Sequence, residues 1–142
     1  MRVVLDTNVV VSALIWGGTP YKLLQAATDG DIELYTSPVL LAELRGVLAR
    51  EHLTSRLVKQ RSSVEQAIGF YGELAISVSP LATPRAVPRD ADDDHVIAAA
   101  LAATADLVVS GDGDLLSVGS FEGVAIVTAA DAVARVDAQR KT

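Results

Sequence analysis

Four carboxylates of this chain stand at positions from which they could share a divalent metal ion: Asp6, Glu43, Asp94 and Asp112. Two of them follow apolar runs typical of buried strands, and two lie near the apolar faces of predicted helices. Carboxylates brought close together repel one another and take up protons unless cations neutralise them. Because the ligands are all oxygen atoms, such a site suits Mg²⁺ or Mn²⁺ better than zinc or copper.

Asp6 and Asp112 each come just after a predicted strand. Thr7 and Asn8 follow Asp6 and could cap the next helix, and Asp114 stands two residues beyond Asp112. The alternative is that Asp6 and Asn8 are only turn and cap residues, and that Asp112 belongs to an ordinary Gly-Asp-Gly turn. In a parallel sheet, however, the crevice beyond the carboxyl ends of the strands is the usual place for a site.

Asp94 and Glu43 are predicted to lie at the buried sides of two helices. Asp94 falls on one helical face with Ile97, Ala98 and Leu101, so it heads an apolar stripe. Its alternative role is that of a charge partner for the start of the helix. Glu43 lies at the margin of a second stripe, where a carboxylate is costly unless it binds metal or pairs with an arginine.

Short β-branched runs alternate with helical periodicity along the chain. Strands are predicted at residues 3–5, 33–36, 75–78, 107–110 and 124–127. Helices are predicted at residues 9–16, 21–28, 38–50, 54–71, 91–104, 112–116 and 129–136. Three prolines between residues 79 and 89 predict an extended loop. This alternation predicts an α/β fold, a three-layer sandwich with a central parallel sheet of about five strands.

Length and composition restrict the class of protein. The chain of 142 residues fits one domain spanning residues 1–142. The absence of cysteine from this sequence excludes disulfides, zinc–thiolate sites and a cysteine nucleophile. Since the sequence contains neither a membrane-spanning apolar run nor a signal-peptide pattern, we expect no membrane association and a cytoplasmic location.

Charge is distributed unevenly. The net charge of −6 argues against a protein that coats nucleic acid by bulk electrostatics. The densest acidic group is Asp90, Asp92, Asp93 and Asp94, and the basic stretch is Arg45, Arg50, Arg56, Lys59 and Arg61. These groups are either two solvated patches or a basic face for phosphates beside an acidic centre for metal.

Four motifs resemble, in order and in spacing, those of PIN domains. Residues 3–9 (VVLDTNV) resemble the first motif, and Ser37-Pro38 followed by Glu43-Leu44 resembles the second. Residues 92–100 (DDDHVIAAA) resemble the third, and residues 108–116 (VVSGDGDLL) the fourth. The resemblance covers nearly the whole chain. It is strongest to the small bacterial PIN proteins of the VapC-like type, which are classed as toxins of toxin–antitoxin systems.

The resemblance implies a Rossmann-like parallel sheet and a metal-dependent endoribonuclease that hydrolyses RNA. It assigns metal binding and catalysis to Asp6, Glu43, Asp94 and Asp112, with Thr7, Asn8, Ser110 and Asp114 as accessory residues. It also implies Mg²⁺ or Mn²⁺ as the cofactor, a homodimer, and a cognate antitoxin protein as partner. From their charge, Lys22, Arg45 and Arg50 are candidate contacts for the RNA backbone.

Two further features allow more than one interpretation. His95 stands where the third motif has an apolar residue, and it either faces solvent or lies near the scissile phosphate. Ile15, Trp16 and Tyr21 near the first helix could contact a partner protein, but we interpret them as core.

Other chemistries fit the sequence less well. The acidic run at residues 90–94 suggests a calcium-binding EF-hand loop, but His95 stands where that loop requires glycine. A phosphatase or receiver could use Asp6, but Asn8 replaces the phosphatase's second aspartate and no lysine follows the late strands. The strongest rival is a non-catalytic PIN-like module that binds RNA or a protein.

Overall fold

The computed structural model describes residues 1–81 and 93–141. The strands are β1 (Arg2–Leu5), β2 (Glu33–Thr36), β3 (Ile76–Ser77), β4 (Leu107–Val109), β5 (Ser120–Phe121) and β6 (Val124–Val127). The helices are α1 (Thr7–Ile15), α2 (Gly18–Thr28), α3 (Pro38–Leu48), α4 (Glu51–Lys59), α5 (Val64–Leu74), α6 (Asp94–Ala103), α7 (Gly113–Val118) and α8 (Ala129–Arg140). None of these helices is long and apolar enough to cross a membrane. The prolines at 84 and 88, Asp90 and Asp92 lie outside the described residues.

The strands form one six-stranded sheet in the order β3-β2-β1-β4-β6-β5. Neighbouring strands are parallel except for β5 and β6, which are antiparallel. The predicted α/β fold with a central parallel sheet is therefore confirmed, although the sheet has six strands instead of about five and one of its pairs is antiparallel. β1 lies in the interior of the sheet between β2 and β4, so the residue that follows it lies in the middle of the sheet's carboxyl end.

Apolar residues cover both faces of the sheet. Val3 and Leu5 of β1 belong to one buried cluster, which also contains Leu44 of α3. Val4 points to the other face and belongs to a second cluster with Ile97 of α6. This burial on both faces explains why the strands read as continuous apolar runs rather than alternating ones, and it produces the three predicted layers.

The single helix predicted at residues 54–71 is wrong, because the structure has two helices, α4 and α5, in this region. Arg61 adopts a left-handed backbone conformation (φ 59°), which ends the first helix. Ser63 starts the second one, since its side chain accepts a hydrogen bond of 3.1 Å from the Gln66 N–H.

The strand β5 was not predicted. It forms a hairpin with β6, in which Phe121 pairs with Val124. The two connecting residues, Glu122 and Gly123, both have positive φ (47° and 87°). That is the conformation required by the two-residue turn that best matches the twist of antiparallel strands.

The interpretation of the residues around the end of α1 as core is correct for Ile15 only. Ile15 is buried, whereas the side chains of Trp16 and Tyr21 are 58% and 41% exposed. The guanidinium of Arg56 on α4 lies 4.2 Å from the centroid of the Trp16 ring. This cation–π contact shields one part of an otherwise exposed aromatic side chain.

Tyr71→Phe is expected to raise the free energy of unfolding by about 1 kcal/mol. Tyr71 is 2% exposed within the core, and among the described residues its hydroxyl has no hydrogen-bond partner. Phenylalanine keeps the ring and removes the desolvated hydroxyl. Urea unfolding of both proteins measures the difference, and a clear loss of stability in the variant would contradict the expectation.

Tyr71 also makes the free energy of unfolding depend on pH in the alkaline range. Burial raises the pKa of the Tyr71 hydroxyl above its usual range. The unfolded chain releases this proton at about pH 10, whereas the folded chain retains it. The contribution of the Tyr71 hydroxyl to the free energy of unfolding is therefore complete below that pH and falls above it. Tyr71→Phe should therefore lose less stability than the wild type between neutral pH and pH about 11.

Candidate functional site

The carboxyl ends of β1, β2 and β4 meet at one edge of the sheet. In the strand registers, Val4 lies opposite Tyr35 and Leu5 lies opposite Val109. Asp6, Ser37 and Ser110 directly follow these strands and are buried in one row, which we call the carboxyl edge. The backbone N–H of Asp6 donates a hydrogen bond of 2.9 Å to the carbonyl oxygen of Val109, which ties the row to the sheet.

The carboxylate of Asp6 is held by two donors. Its Oδ1 accepts a hydrogen bond of 2.8 Å from the Thr7 N–H, so Asp6 itself is the cap of α1. This corrects the expectation that Thr7 or Asn8 caps the helix. Its Oδ2 accepts a hydrogen bond of 2.8 Å from the hydroxyl of Ser110. Both contacts fix the orientation of the carboxylate.

Ser110 connects Asp6 to the second acid at a strand end. Its Oγ also accepts a hydrogen bond of 3.0 Å from the backbone N–H of Asp112. Asp112 in turn caps α7, because its Oδ1 accepts a hydrogen bond of 2.8 Å from the Asp114 N–H. Asp112 is half-buried and Asp114 is exposed. Asp6 and Asp112 are therefore linked through one buried hydroxyl, although they lie far apart in the sequence.

Asp94 reaches the same edge from the other face of the sheet. It is the first residue of α6, a helix that contacts β1, β2 and β4, and its side chain is fully buried (0% exposed). The guanidinium of Arg2, at the start of β1, donates a hydrogen bond of 2.9 Å to the carbonyl oxygen of Ala103 at the end of α6. The end of α6 therefore lies beside the start of β1. At about 1.5 Å per residue, α6 spans roughly 13 Å, which is about the length of β1. Its first residue, Asp94, is thereby brought to the carboxyl edge, where β1 ends.

Asp93 is an acid whose burial the sequence reasoning did not identify. It is 8% exposed and precedes α6, although its side chain makes no capping hydrogen bond. Asp90 and Asp92, which belong to the same acidic run, lie outside the described residues. Within the described part of the run, both Asp93 and Asp94 are buried at the start of α6.

Glu43 and Asn8 complete the set of predicted polar residues. Glu43 is half-buried on α3, the helix that follows Ser37 and contacts both α1 and α6. Asn8 is exposed in the first turn of α1. Their predicted roles, a metal ligand and an accessory residue, stay predictions.

The predicted ligands offer only oxygen atoms to a metal ion. Aspartate, glutamate and hydroxyl oxygens are the ligands that Mg²⁺ and Mn²⁺ prefer. Within residues 1–81 and 93–141, the hydroxyl oxygen of Thr7 is buried beside Asp6 without a hydrogen-bond partner. In the same residues no group of three or more acids or histidines has the geometry to hold a metal ion. The oxygen donors, which include the buried Thr7 hydroxyl, are of the type that a hard divalent cation takes.

The three candidate RNA contacts lie in different surroundings. Arg45 on α3 forms an ion pair with Glu65 on α5, which neutralises part of its charge. Arg50 is exposed at the start of α4. Lys22 lines a cavity of about 620 Å³ between α2 and α8. That cavity shares no lining residue with the carboxyl edge, so the acids, rather than the cavity's volume, identify the candidate site.

Ser110→Ala is expected to lower both stability and activity. The change removes two hydrogen bonds and leaves the Asp6 Oδ2 and the Asp112 N–H without this partner. We expect a loss of about 1–3 kcal/mol in the free energy of unfolding. We also expect a loss of roughly 10- to 100-fold in metal affinity or turnover. Calorimetric metal titration and urea unfolding measure the two effects, and Ser110→Thr, which keeps the hydroxyl, is the control.

A mainly parallel α/β sheet with buried acids at its carboxyl edge is an arrangement that suits a metal-dependent hydrolase. The family model described as the PIN domain matches residues 2–114, which include all four predicted ligands. The chain therefore belongs to the PIN domain family. PIN domains are generally nucleases that use divalent metal ions and act on nucleic acid.

An uncharacterized protein of Methanocaldococcus jannaschii is 31% identical over 118 residues, covering 82% of this chain and 74% of the relative. No solved structure matches the chain significantly. Neither comparison assigns a substrate.

Proposed function

We propose that the protein is a metal-dependent endoribonuclease that hydrolyses RNA phosphodiester bonds. The observation that carries the proposal is the network from Asp6 through the Ser110 hydroxyl to the Asp112 backbone, with the fully buried Asp94 at the same edge. Buried carboxylates are costly, and a divalent cation offsets that cost. A PIN domain with this edge is therefore best explained as an active nuclease.

The four acidic residues are proposed to form the metal site. Asp6, Asp94 and Asp112 hold Mg²⁺ or Mn²⁺, directly or through water, and Glu43 completes the set. When bound, the ion supplies an activated water and offsets negative charge at the scissile phosphate. Ser110 and the Thr7 N–H fix the Asp6 carboxylate, so its oxygens stay oriented toward the edge while RNA binds.

The cellular role belongs to the same proposal. We propose a VapC-like toxin, held as a homodimer in the cytoplasm as one domain of residues 1–142 and inhibited by an antitoxin protein. The exposed Trp16 and Tyr21 offer aromatic surface of the kind enriched in protein interfaces. Arg50, together with Lys22 and Arg45, is proposed to contact the RNA backbone once metal has reduced the negative charge of the edge.

The test is cleavage of a pool of end-labelled cellular RNAs by the purified protein. Reactions contain Mg²⁺, Mn²⁺ or EDTA, and the Asp94→Asn variant is assayed beside the wild type. We expect discrete products with either metal, and none with EDTA or with the variant. Products that persist in EDTA would contradict the role of metal, and equal cleavage by the variant would contradict the site.

One observation favours a second candidate, a PIN-like module that binds RNA or a partner protein without hydrolysing RNA. Among the described residues, no group of three or more acids or histidines has the geometry to hold a metal ion. This candidate predicts RNA binding by filter retention and no cleavage at any concentration of Mg²⁺ or Mn²⁺. Cleavage of any RNA that requires the carboxylates would exclude it.

A further inference from the structure

A small cavity adjoins the carboxyl edge. It has a volume of about 240 Å³ and is lined by residues 37–39 at the start of α3, by residues 79 and 80, and by His95 and Ala98 of α6. Ser37 belongs to the row of the carboxyl edge, and His95 directly follows the buried Asp94. The cavity therefore lies beside the carboxyl edge and next to the start of α6.

The chemistry of the lining fits a flat aromatic ring. Pro38, Val39 and Pro80 supply apolar surface, and the half-buried imidazole of His95 supplies a ring against which another ring can stack. The volume is smaller than the roughly 300–1,000 Å³ typical of sites for drug-sized ligands. It suits one ring system of a longer ligand and does not suit a whole small-molecule substrate.

We propose that this cavity receives one nucleobase of the RNA strand, adjacent to the phosphate held at the acidic residues, and that His95 stacks on that base. The inference rests on the proposed nuclease function, because the phosphate position fixes which base can reach the cavity. His95 is then a specificity-determining residue that acts through its ring face. This assignment differs from the solvent-facing alternative of the sequence analysis, and for a histidine near the scissile phosphate it specifies stacking on a base.

Kinetics separate stacking from proton transfer. His95→Ala should raise the KM for a short single-stranded RNA on the order of tenfold, since stacking of one base contributes about that much or more. His95→Phe keeps an aromatic face and should keep a KM near that of the wild type, with kcat little changed in both variants. His52→Ala, at an exposed position on α4, is the matched control and should change neither constant.

Abasic substitution locates the base. RNAs lacking one base at a time are assayed across the cleavage site with the wild type and with His95→Ala. One abasic position should raise the KM of the wild type but leave that of His95→Ala unchanged. Equal effects on both proteins at every position, or a loss of kcat in His95→Phe, would overturn the stacking assignment.

A binding measurement does not depend on cleavage. The chain has two histidines, so its imidazole carbon-bound protons give two sets of NMR signals, which His52→Ala assigns. When a short RNA with a non-cleavable linkage is added to the wild type at constant pH with Mg²⁺, the His95 signals should move upfield and those of His52 should not. Unmoved His95 signals with an RNA whose unmodified form the wild type cleaves would refute this inference alone. Moved signals without cleavage by the wild type would refute the nuclease and retain the base site.

Discussion

Asp94→Asn is expected to lower the rate of RNA cleavage by at least about a hundredfold while the fold stays intact. Asp94 is fully buried at the start of α6, a helix whose other end is hydrogen-bonded to Arg2 at the start of β1. Asparagine has nearly the same shape but no negative charge, so it keeps the packing and weakens the hold on a divalent cation. Single-turnover cleavage with excess enzyme measures the rate, and circular dichroism monitors the fold.

The matched control for Asp94 is Asp137→Asn. Asp137 is an exposed aspartate on α8 that forms an ion pair of 3.9 Å with Arg140, away from the carboxyl edge. Its replacement removes one negative charge from the protein and should leave cleavage unchanged. If both variants lost activity equally, the overall charge, and not the position of Asp94, would be the cause.

Asp6→Ala and Asp6→Asn are expected to differ in their effect on stability while both abolish RNA cleavage. The alanine variant loses the cap of α1 and the acceptor for the Ser110 hydroxyl, so we expect a loss of about 2–3 kcal/mol in the free energy of unfolding. Asparagine is an equally good cap and keeps one oxygen acceptor, so its loss should stay below about 1 kcal/mol. Cleavage should be abolished in both, because neither side chain is a carboxylate.

Urea unfolding and cleavage assays on the same preparations test this pair. Asp131→Ala, at an exposed acid in the first turn of α8, is the control for removing a charge near a helix start. A small loss of stability is expected there, without any effect on cleavage. An Asp6→Asn protein that cleaves RNA at the wild-type rate would remove Asp6 from the proposed metal site.

The interior of the sheet could be read from the sequence because parallel strands covered on both faces need continuous apolar runs. Residues 107–109 and 124–127 are such runs, and both are strands in the structure. The break between α4 and α5 also had a signal, since Ser63 and Gln66 have the spacing of a helix-starting pair. The apolar periodicity of the residues before and after this pair concealed the signal.

Other features depend on tertiary contacts that no local pattern reveals. The exposure of Trp16 depends on how α1 meets α4, where Arg56 covers the ring. Arg45 pairs with Glu65 of a helix 20 residues away along the chain. For the candidate site, the sequence indicated which acids follow strands, but the bridging hydroxyl of Ser110 and the burial of Asp93 required the packed structure.

The position of β1 in the sheet has a consequence for the order of folding. Its partner β4 lies more than 100 residues later, and the hydrogen bond between Ser110 and Asp6 spans 104 positions. Such distant pairing is slow to form, because a long loop must close before the contact is made. During synthesis, the first half of the chain therefore presents Asp6 and Glu43 without the residues that complete the edge. We expect the carboxyl edge to assemble only after β4 has left the ribosome, so a nascent chain should not cleave RNA.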